Sequence, residues 1–128
     1  MLLKKIVLRN REKFEQVVED WSKRMNIEVE VFDGKESLLD TIDSVVVIHE
    51  DFNISKENKE LRELLERNNK IAHQVDINAT MNASVSSLRF WLDNNKPKSV
   101  LFVGDEKLTK SARLETYFEK LTENLKLN

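Results

Sequence analysis

The sequence predicts a three-layer α/β/α fold with a five-stranded, mostly parallel sheet at its centre. Five short apolar segments alternate with five helical patterns along the chain, and this alternation is typical of parallel sheets with helices on both faces. Two glycines and one proline among 128 residues do not fit a β-sandwich with many tight turns. Because no linker or low-complexity stretch interrupts the pattern, residues 1–128 are expected to form a single α/β domain.

The strands are predicted from short runs of apolar residues bounded by polar segments. In chain order they cover residues 5–8, 27–32, 44–49, 70–77 and 99–103. Val45–Ile48 and Val100–Val103 are apolar at every position, as expected for strands that are covered on both faces. These two strands are therefore placed in the middle of the sheet.

The fourth strand alternates between polar and apolar residues instead. Ala72, Gln74 and Asp76 share one face, while His73 lies on the other face with apolar neighbours. Three explanations fit: the strand lies at an exposed edge, it carries a hydrogen-bonded polar network, or its polar face contributes to a site. His73 by itself is interpreted as a satisfied structural histidine rather than a ligand or catalyst.

Five helices are predicted from apolar residues that recur every three or four positions. The first covers about residues 11–25, the second is a short segment around residues 38–42, and the third follows Ser55, whose hydroxyl suits an N-cap. The last two carry the apolar stripes Met81, Val85, Leu88, Leu92 and Leu114, Tyr117, Phe118, Leu121, Leu125. Phe90, Trp91 and Leu92 are consecutive and cannot all face one side, so at least one of them is expected to be uncovered.

The preferred strand order is the flavodoxin-like one, 2-1-3-4-5, because right-handed crossovers leave few alternatives. In open parallel sheets, ligands bind beyond the carboxyl ends of the strands where the connection direction reverses, which this order places between strands one and three. The expected ligand-binding residues are Arg9, Asn10 and Arg11 on one side, His49, Glu50 and Asp51 on the other, and Asp76, Asn78 and Thr80 nearby. Arg9 or Arg11 would recognise a small anionic ligand, and Glu50 with Asp51 a cation. The competing interpretation is a set of solvated loop residues in which Asn10 and Asn78 act only as helix caps.

Several classes of site are disfavoured by the sequence. The turn after the first strand, Arg9–Glu12, contains no glycine, which argues against dinucleotide and P-loop nucleotide binding. Only two histidines and no cysteine are present, without a G-x-S-x-G elbow or metal-ligand spacing, so no cofactor and no metal ion are expected. A net charge of −2 gives no general attraction to nucleic acid.

Neither a secretory signal nor a stretch of ~20 apolar residues is recognised, so a cytoplasmic protein without membrane contact is expected.

Residues 27–40 resemble the second strand and helix of response-regulator receiver domains. Receivers carry an acidic pair after strand one, where this chain has Arg9, Asn10 and Arg11. They also carry a lysine after strand five, where this chain has Gly104 and only later Lys107. The resemblance therefore implies the fold and not phosphotransfer.

The sequence is most consistent with a small binding or regulatory module without evident catalytic machinery. Two alternatives stay open. One is an enzyme acting on a phosphorylated or carboxylated metabolite, with His49 or Asp76 as acid or base and Arg9 as anion clamp. The other is a structural protein that forms a homodimer through an edge strand or through Phe90 and Trp91. A protein partner is also compatible with the binding module, and neither the ligand nor the oligomeric state is specified by the sequence.

Overall fold

The computed structural model describes residues 2–34 and 37–126, which form one layered α/β arrangement. The five strands are β1 (Lys5–Leu8), β2 (Glu28–Val31), β3 (Ser44–His49), β4 (Ile71–Asp76) and β5 (Val100–Gly104). The helices are α1 (Lys13–Arg24), α2 (Leu38–Thr41), α3 (Lys56–Arg67), α4 (Met81–Asn95) and α5 (Ala112–Lys126), with a 3-10 helix at Glu106–Lys110. The predicted three-layer α/β/α class is confirmed.

The strands form one fully parallel sheet with the order β2-β1-β5-β3-β4. The predicted order 2-1-3-4-5 is wrong, because β5 lies between β1 and β3 rather than at an edge. The physical reason is the composition of β5: Val100–Val103 are all fully buried, and a central strand is covered on both faces. The separate expectation that Val45–Ile48 and Val100–Val103 occupy the middle of the sheet is confirmed.

The helices divide between the two faces of the sheet according to the direction of each connection. β1 to β2 and β4 to β5 run one way across the sheet, while β2 to β3 and β3 to β4 run the other way. With crossovers of one hand, these two sets place their helices on opposite faces. Accordingly α1, α4 and α5 pack over the larger core, which includes Phe14, Trp21 and Phe102, and α2 and α3 cover the smaller core around Val47 and Leu65.

β4 is an edge strand, which explains its alternating sequence. Ile71 is 37% exposed, Gln74 is half-buried and Val75 is buried. Of the three explanations for the pattern, the exposed edge is the one that the strand order confirms. His73 has the structural role expected of it, since its ring stacks on Trp91 at 5.4 Å. Its Nε2 is nevertheless buried without a hydrogen-bond partner in the described part of the chain, so the histidine is not fully satisfied.

Two local expectations about the helices are also confirmed. Ser55 caps α3 by accepting a hydrogen bond from the backbone N–H of Asn58 at 3.2 Å. In α4 the three consecutive large residues diverge: Leu92 is fully buried, Trp91 stacks on His73, and Phe90 is 68% exposed. No helix within residues 2–34 and 37–126 has the length and apolar character needed to cross a membrane.

Candidate functional site: the β1–β5 cavity

The predicted crevice between strands one and three does not exist, because β5 fills that position. The two sides of the predicted site are separated by two strand spacings, about 10 Å. Arg9 and Asn10 lie at the carboxyl end of β1, whereas His49, Asp51 and Asp76 lie at the ends of β3 and β4. The expected residues therefore form two separate groups.

The group at the ends of β3 and β4 is held together by its own hydrogen bonds. Asp76 Oδ1 accepts the backbone N–H groups of Asp51 at 3.1 Å and Asn78 at 2.9 Å. The Asn78 side-chain amide donates to Asp51 Oδ2 at 2.7 Å. These polar groups shape the loops after the two strands, which favours the interpretation as loop residues. Asn78 does not cap α4, because the N-cap residue of that helix is Thr80.

His49 is buried and serves the same loop. Its Nδ1 accepts the backbone N–H of Phe52 at 3.0 Å, and the Phe52 ring stacks on the imidazole at 4.8 Å. An acceptor Nδ1 requires the neutral ring with its proton on Nε2. Burial lowers the pKa of His49, and the nearby Asp76 and Asp51 carboxylates only partly oppose this effect.

The contacts of three other predicted site residues, Arg11, Glu50 and Thr80, do not suggest ligand recognition. Arg11 is exposed, and its carbonyl accepts the Gln16 side-chain amide. Glu50 accepts the Ser111 hydroxyl at 3.3 Å. Thr80 begins α4 but makes no side-chain capping bond to the residues that the structure describes.

A polar cavity of about 280 Å³ opens instead at the carboxyl ends of β1 and β5. Its outer wall is a chain of hydrogen bonds centred on the buried Asn58. Asn58 Oδ1 accepts Arg9 Nη2 at 2.8 Å, and its amide donates to Asp105 Oδ1 at 2.9 Å. Asp105 Oδ2 accepts the backbone N–H of Ser55 at 3.1 Å, and Glu57 pairs with Arg9 at 3.6 Å. These contacts tie the loops after β1 and β5 to the start of α3.

The inner wall of the cavity is the first turn of α1. Glu106, just after β5, accepts the backbone N–H groups of Lys13 at 3.1 Å and Phe14 at 3.2 Å. A carboxylate at this position satisfies unpaired amides and complements the positive end of the helix. Asn10 is not the N-cap of α1, since Glu12 holds that position without a side-chain capping bond. Asn10 instead shapes the turn before the helix, because its Oδ1 accepts the backbone N–H of Glu12 at 3.0 Å.

Glu15 is the exceptional residue of the cavity. It is only 2% exposed, and its Oε1 has no hydrogen-bond partner among the residues described. Carboxylate oxygens of Glu12, Glu15 and Glu106 lie within 4.8 Å of one another. Burial raises the pKa of Glu15, and the carboxylates of Glu106 and Glu12 act in the same direction. The backbone N–H of Glu15 itself and the Arg9 guanidinium partly oppose this rise. At this end of the cavity, negative charge from three carboxylates is concentrated, and one buried carboxylate oxygen has no hydrogen-bond partner among the described residues.

Two residues of this cavity, Arg9 and Asn10, were expected at a ligand site, but in a crevice between strands one and three; the acidic residues of the cavity were not predicted. A signal for Glu15 was present: it lies three positions before Val18 and seven before Ser22, both buried in α1. A glutamate at helical spacing with buried residues is unusual on an inward face. Glu106 and Asp105 gave no comparable signal, because a strand placed at the sheet edge would not bring them beside Arg9.

Comparisons with known protein families, curated proteins and solved structures find no match to this chain.

Proposed function

We propose that this chain is a small cytoplasmic binding module without catalytic activity, and that it binds a cationic ligand in the β1–β5 cavity. The observation that carries the proposal is Glu15, a buried carboxylate whose Oε1 has no partner among the described residues and which lines the cavity. Buried charges are normally paired or neutralised, so a ligand that supplies positive charge would complete this site.

The charge of the cavity supports a cation. Among its described lining residues, Glu12, Glu15, Glu57, Asp105 and Glu106 are acids and Arg9 is the one base. The terminal nitrogens of Arg9 are engaged by Asn58 and Glu57, and its buried Nε has no hydrogen-bond partner among the described residues. A small anionic ligand at Arg9, the other expectation, stays a prediction, but it would have to enter against a strongly acidic surface.

The enzyme alternative has less support. Its two candidate proton-transfer groups, His49 and Asp76, accept backbone N–H groups that fix their own loops. Arg9, its anion clamp, lies on the far side of β5. The three residues therefore do not converge on one reacting atom, which general acid–base catalysis requires.

The cation proposal is tested by following backbone amide signals in NMR spectra during separate titrations. The probes are CaCl2, MgCl2, spermidine, arginine amide and, as the anionic counterpart, inorganic phosphate. We expect at least one cation to shift the amides of Glu12, Glu15 and Asp105, and Glu15→Gln to weaken that response. Glu63→Gln is the matched control, because Glu63 is an exposed acid on α3. A response to phosphate alone, or to none of the probes, would contradict the proposal.

A second candidate function, self-association, is favoured by the free edge of β4. The N–H groups of Ile71 and Ile77 donate to carbonyls at the two ends of β3, at Asp43 and His49. In a parallel pair, alternate residues face the neighbouring strand, so Ala72 and Gln74 present their backbone groups to the open side. The opposite edge of the sheet is β2, which carries the exposed acids Glu28 and Glu30. The like charges of two copies would repel each other at that edge.

The occupant that fits the β4 edge is a second copy of this chain in antiparallel orientation. Pairing Ala72 of each copy with Gln74 of the other uses all the free backbone groups of these residues and places the two-fold axis beside His73. The same register sets Lys70 opposite Asp76, so unlike charges meet at both ends of the contact.

This second candidate is tested by sedimentation velocity on the protein and two variants. Gln74→Pro removes an outward N–H that the monomer does not use, and Gln74→Ala keeps it. We expect the protein and Gln74→Ala to be dimeric, and Gln74→Pro to be monomeric with an unchanged circular dichroism spectrum. A monomer for the unmodified chain up to millimolar concentration would rule out self-association.

A further inference from the structure

We propose that the ligand of the β1–β5 cavity is a divalent cation with a preference for oxygen ligands, held by Glu12, Glu15 and Glu106. This inference rests on the proposed function and specifies its ligand class. Nothing in the chain offers a thiolate, and both histidines lie outside the cavity, so the donor set is oxygen alone.

The spacing of the carboxylates fits a single ion. One oxygen from each of the three residues lies within 4.8 Å of the others. Oxygen ligands of Ca²⁺ lie at about 2.3–2.6 Å from the ion, so two ligands on opposite sides are about 4.6–5.2 Å apart. For Mg²⁺, with ligands at about 2.0–2.1 Å, the same separation is about 4.2 Å at most. A point equidistant from three oxygens at that limiting separation lies about 2.8 Å from each, so small side-chain movements would close the site on Ca²⁺ and larger ones on Mg²⁺.

A second observation points to a ligand independently of the acidic cluster. Glu15 lines the cavity although it is only 2% exposed, and its buried Oε1 has no hydrogen-bond partner among the described residues. Arg9 acts on Glu15 electrostatically but donates no hydrogen bond to its Oε1. The terminal nitrogens of Arg9 contact Asn58 and Glu57, and its buried Nε is also without a hydrogen-bond partner among the described residues. A metal ion would give Glu15 the missing interaction.

The contacts that Glu106 already makes are compatible with a ligand role. Each of its oxygens accepts one helix amide, from Lys13 or Phe14. A carboxylate oxygen has a second lone pair, so each remains able to coordinate an ion. Glu12 is exposed and lies on the open side of the cluster, where an ion would enter and keep part of its water shell.

Binding would join two segments that are far apart in the sequence. Glu12 and Glu15 belong to the start of α1, and Glu106 begins the 3-10 helix after β5. An ion held by all three would tie the first helix to the central strand. Because an ion that binds only the folded state stabilises it by mass action, the effect is measurable in unfolding experiments.

The test combines calorimetric titration with thermal unfolding, using CaCl2, MgCl2 and spermidine on metal-free protein. We expect saturable Ca²⁺ binding with one ion per chain and a melting temperature that rises with Ca²⁺ concentration. Glu15→Gln and Glu12→Gln should each weaken binding by at least tenfold, while Glu63→Gln should bind as the unmodified protein does. Glu15→Gln is expected to fold, because it removes a buried charge, and its melting temperature without added ions checks this.

Mn²⁺ locates the ion, because it broadens nearby NMR signals. We expect selective broadening of the amides of Glu12, Glu15, Asp105 and Glu106, abolished in Glu15→Gln. Broadening confined to other acidic segments, or Ca²⁺ binding that survives both variants, would overturn the metal inference. If spermidine or arginine amide shifts the cavity amides while Ca²⁺, Mg²⁺ and Mn²⁺ do not, the metal inference fails and the proposed cation-binding function stands. If no cation acts at the cavity, both fail.

Discussion

The ring of Phe14 occupies the space in which any residue other than glycine at position 104 would place its Cβ. A Cβ built on Gly104 would lie within 2.9 Å of three atoms of the Phe14 ring, and Phe14 itself is fully buried. The first turn of α1 can therefore approach the carboxyl end of β5 closely only because position 104 is glycine. This approach also brings Glu15 beside Glu106.

Gly104→Ala should destabilise the protein by about 1–3 kcal/mol, because the added methyl group overpacks a rigid aromatic contact. The measurement is urea unfolding followed by circular dichroism. In the double variant Gly104→Ala with Phe14→Leu, the smaller side chain should recover part of the loss. Strictly additive effects of the two substitutions would show that the ring and the glycine do not interact.

Tyr117→Phe should leave stability unchanged or increase it by up to about 1 kcal/mol. The Tyr117 hydroxyl is buried with no hydrogen-bond partner among residues 2–34 and 37–126, and burial raises its pKa. Removing an unsatisfied polar group releases a desolvation cost. Thr122→Val is the contrasting variant, because Thr122 Oγ1 accepts the Trp21 indole N–H at 2.7 Å. That variant should lose about 1–3 kcal/mol, and an equal loss in both variants would contradict the prediction.

Asn58→Leu should lower stability by about 1–3 kcal/mol, because it removes one hydrogen bond from each of two charged neighbours inside a partly buried network. Asn58 accepts from Arg9 and donates to Asp105, and it is itself buried. Asn68→Leu provides the control, since Asn68 is exposed and its side-chain amide donates to a carbonyl of its own helix. The measurement is urea unfolding of both variants. If Asn58→Leu lowers the free energy of unfolding no more than Asn68→Leu does, the prediction is wrong.

The contribution of the two histidines to stability should decrease as the pH is lowered below about 6.5, the ordinary histidine pKa. The raised pKa of Glu15 acts in the opposite direction in acid. Burial lowers the pKa values of both His49 and His73 in the folded protein. At these two residues the unfolded chain therefore binds more protons between the lowered folded pKa values and about 6.5, so their contribution to the free energy of unfolding rises with pH across that interval. Below the folded pKa values, these two residues add no further pH dependence.

His73→Phe isolates one of these contributions, because it keeps an aromatic ring beside Trp91 and removes the titrating group. The difference in unfolding free energy between pH 7.5 and pH 5 should be smaller in this variant than in the unmodified protein. His49 remains, so part of the dependence should persist. An unchanged difference would show that His73 does not titrate in this interval.

The sequence predicts the elements and the layers of this fold better than its strand order. Helix and strand positions depend on local periodicity, which each segment carries by itself. Strand order depends on how buried each strand is relative to the others, and the fully apolar Val100–Val103 already favoured a central position over the edge that the flavodoxin-like order assigns. The error in order then divided the expected site, because it placed Arg9 beside His49 rather than beside Asp105.

The acidic part of the cavity was harder to predict for a different reason. Glu12, Glu15 and Glu106 come from two helix starts that are 91 or more positions apart in the sequence, and no spacing rule links them. What brings them together is the contact between Phe14 and Gly104, which depends on the three-dimensional packing of α1 on β5. Arg9 was found because it directly follows a recognisable strand.

The central position of β5 has a consequence for synthesis on the ribosome. The paired strands β1 and β2 emerge first, then the pair β3 and β4, and within the described chain these two pairs are joined only through β5. If these two pairs form before residue 104 leaves the exit tunnel, each half-sheet has an open inner edge made of Ile6–Leu8 or Val45–Ile48. Protection of those edges by a chaperone, or late folding of the whole domain in one step, would be required at that stage.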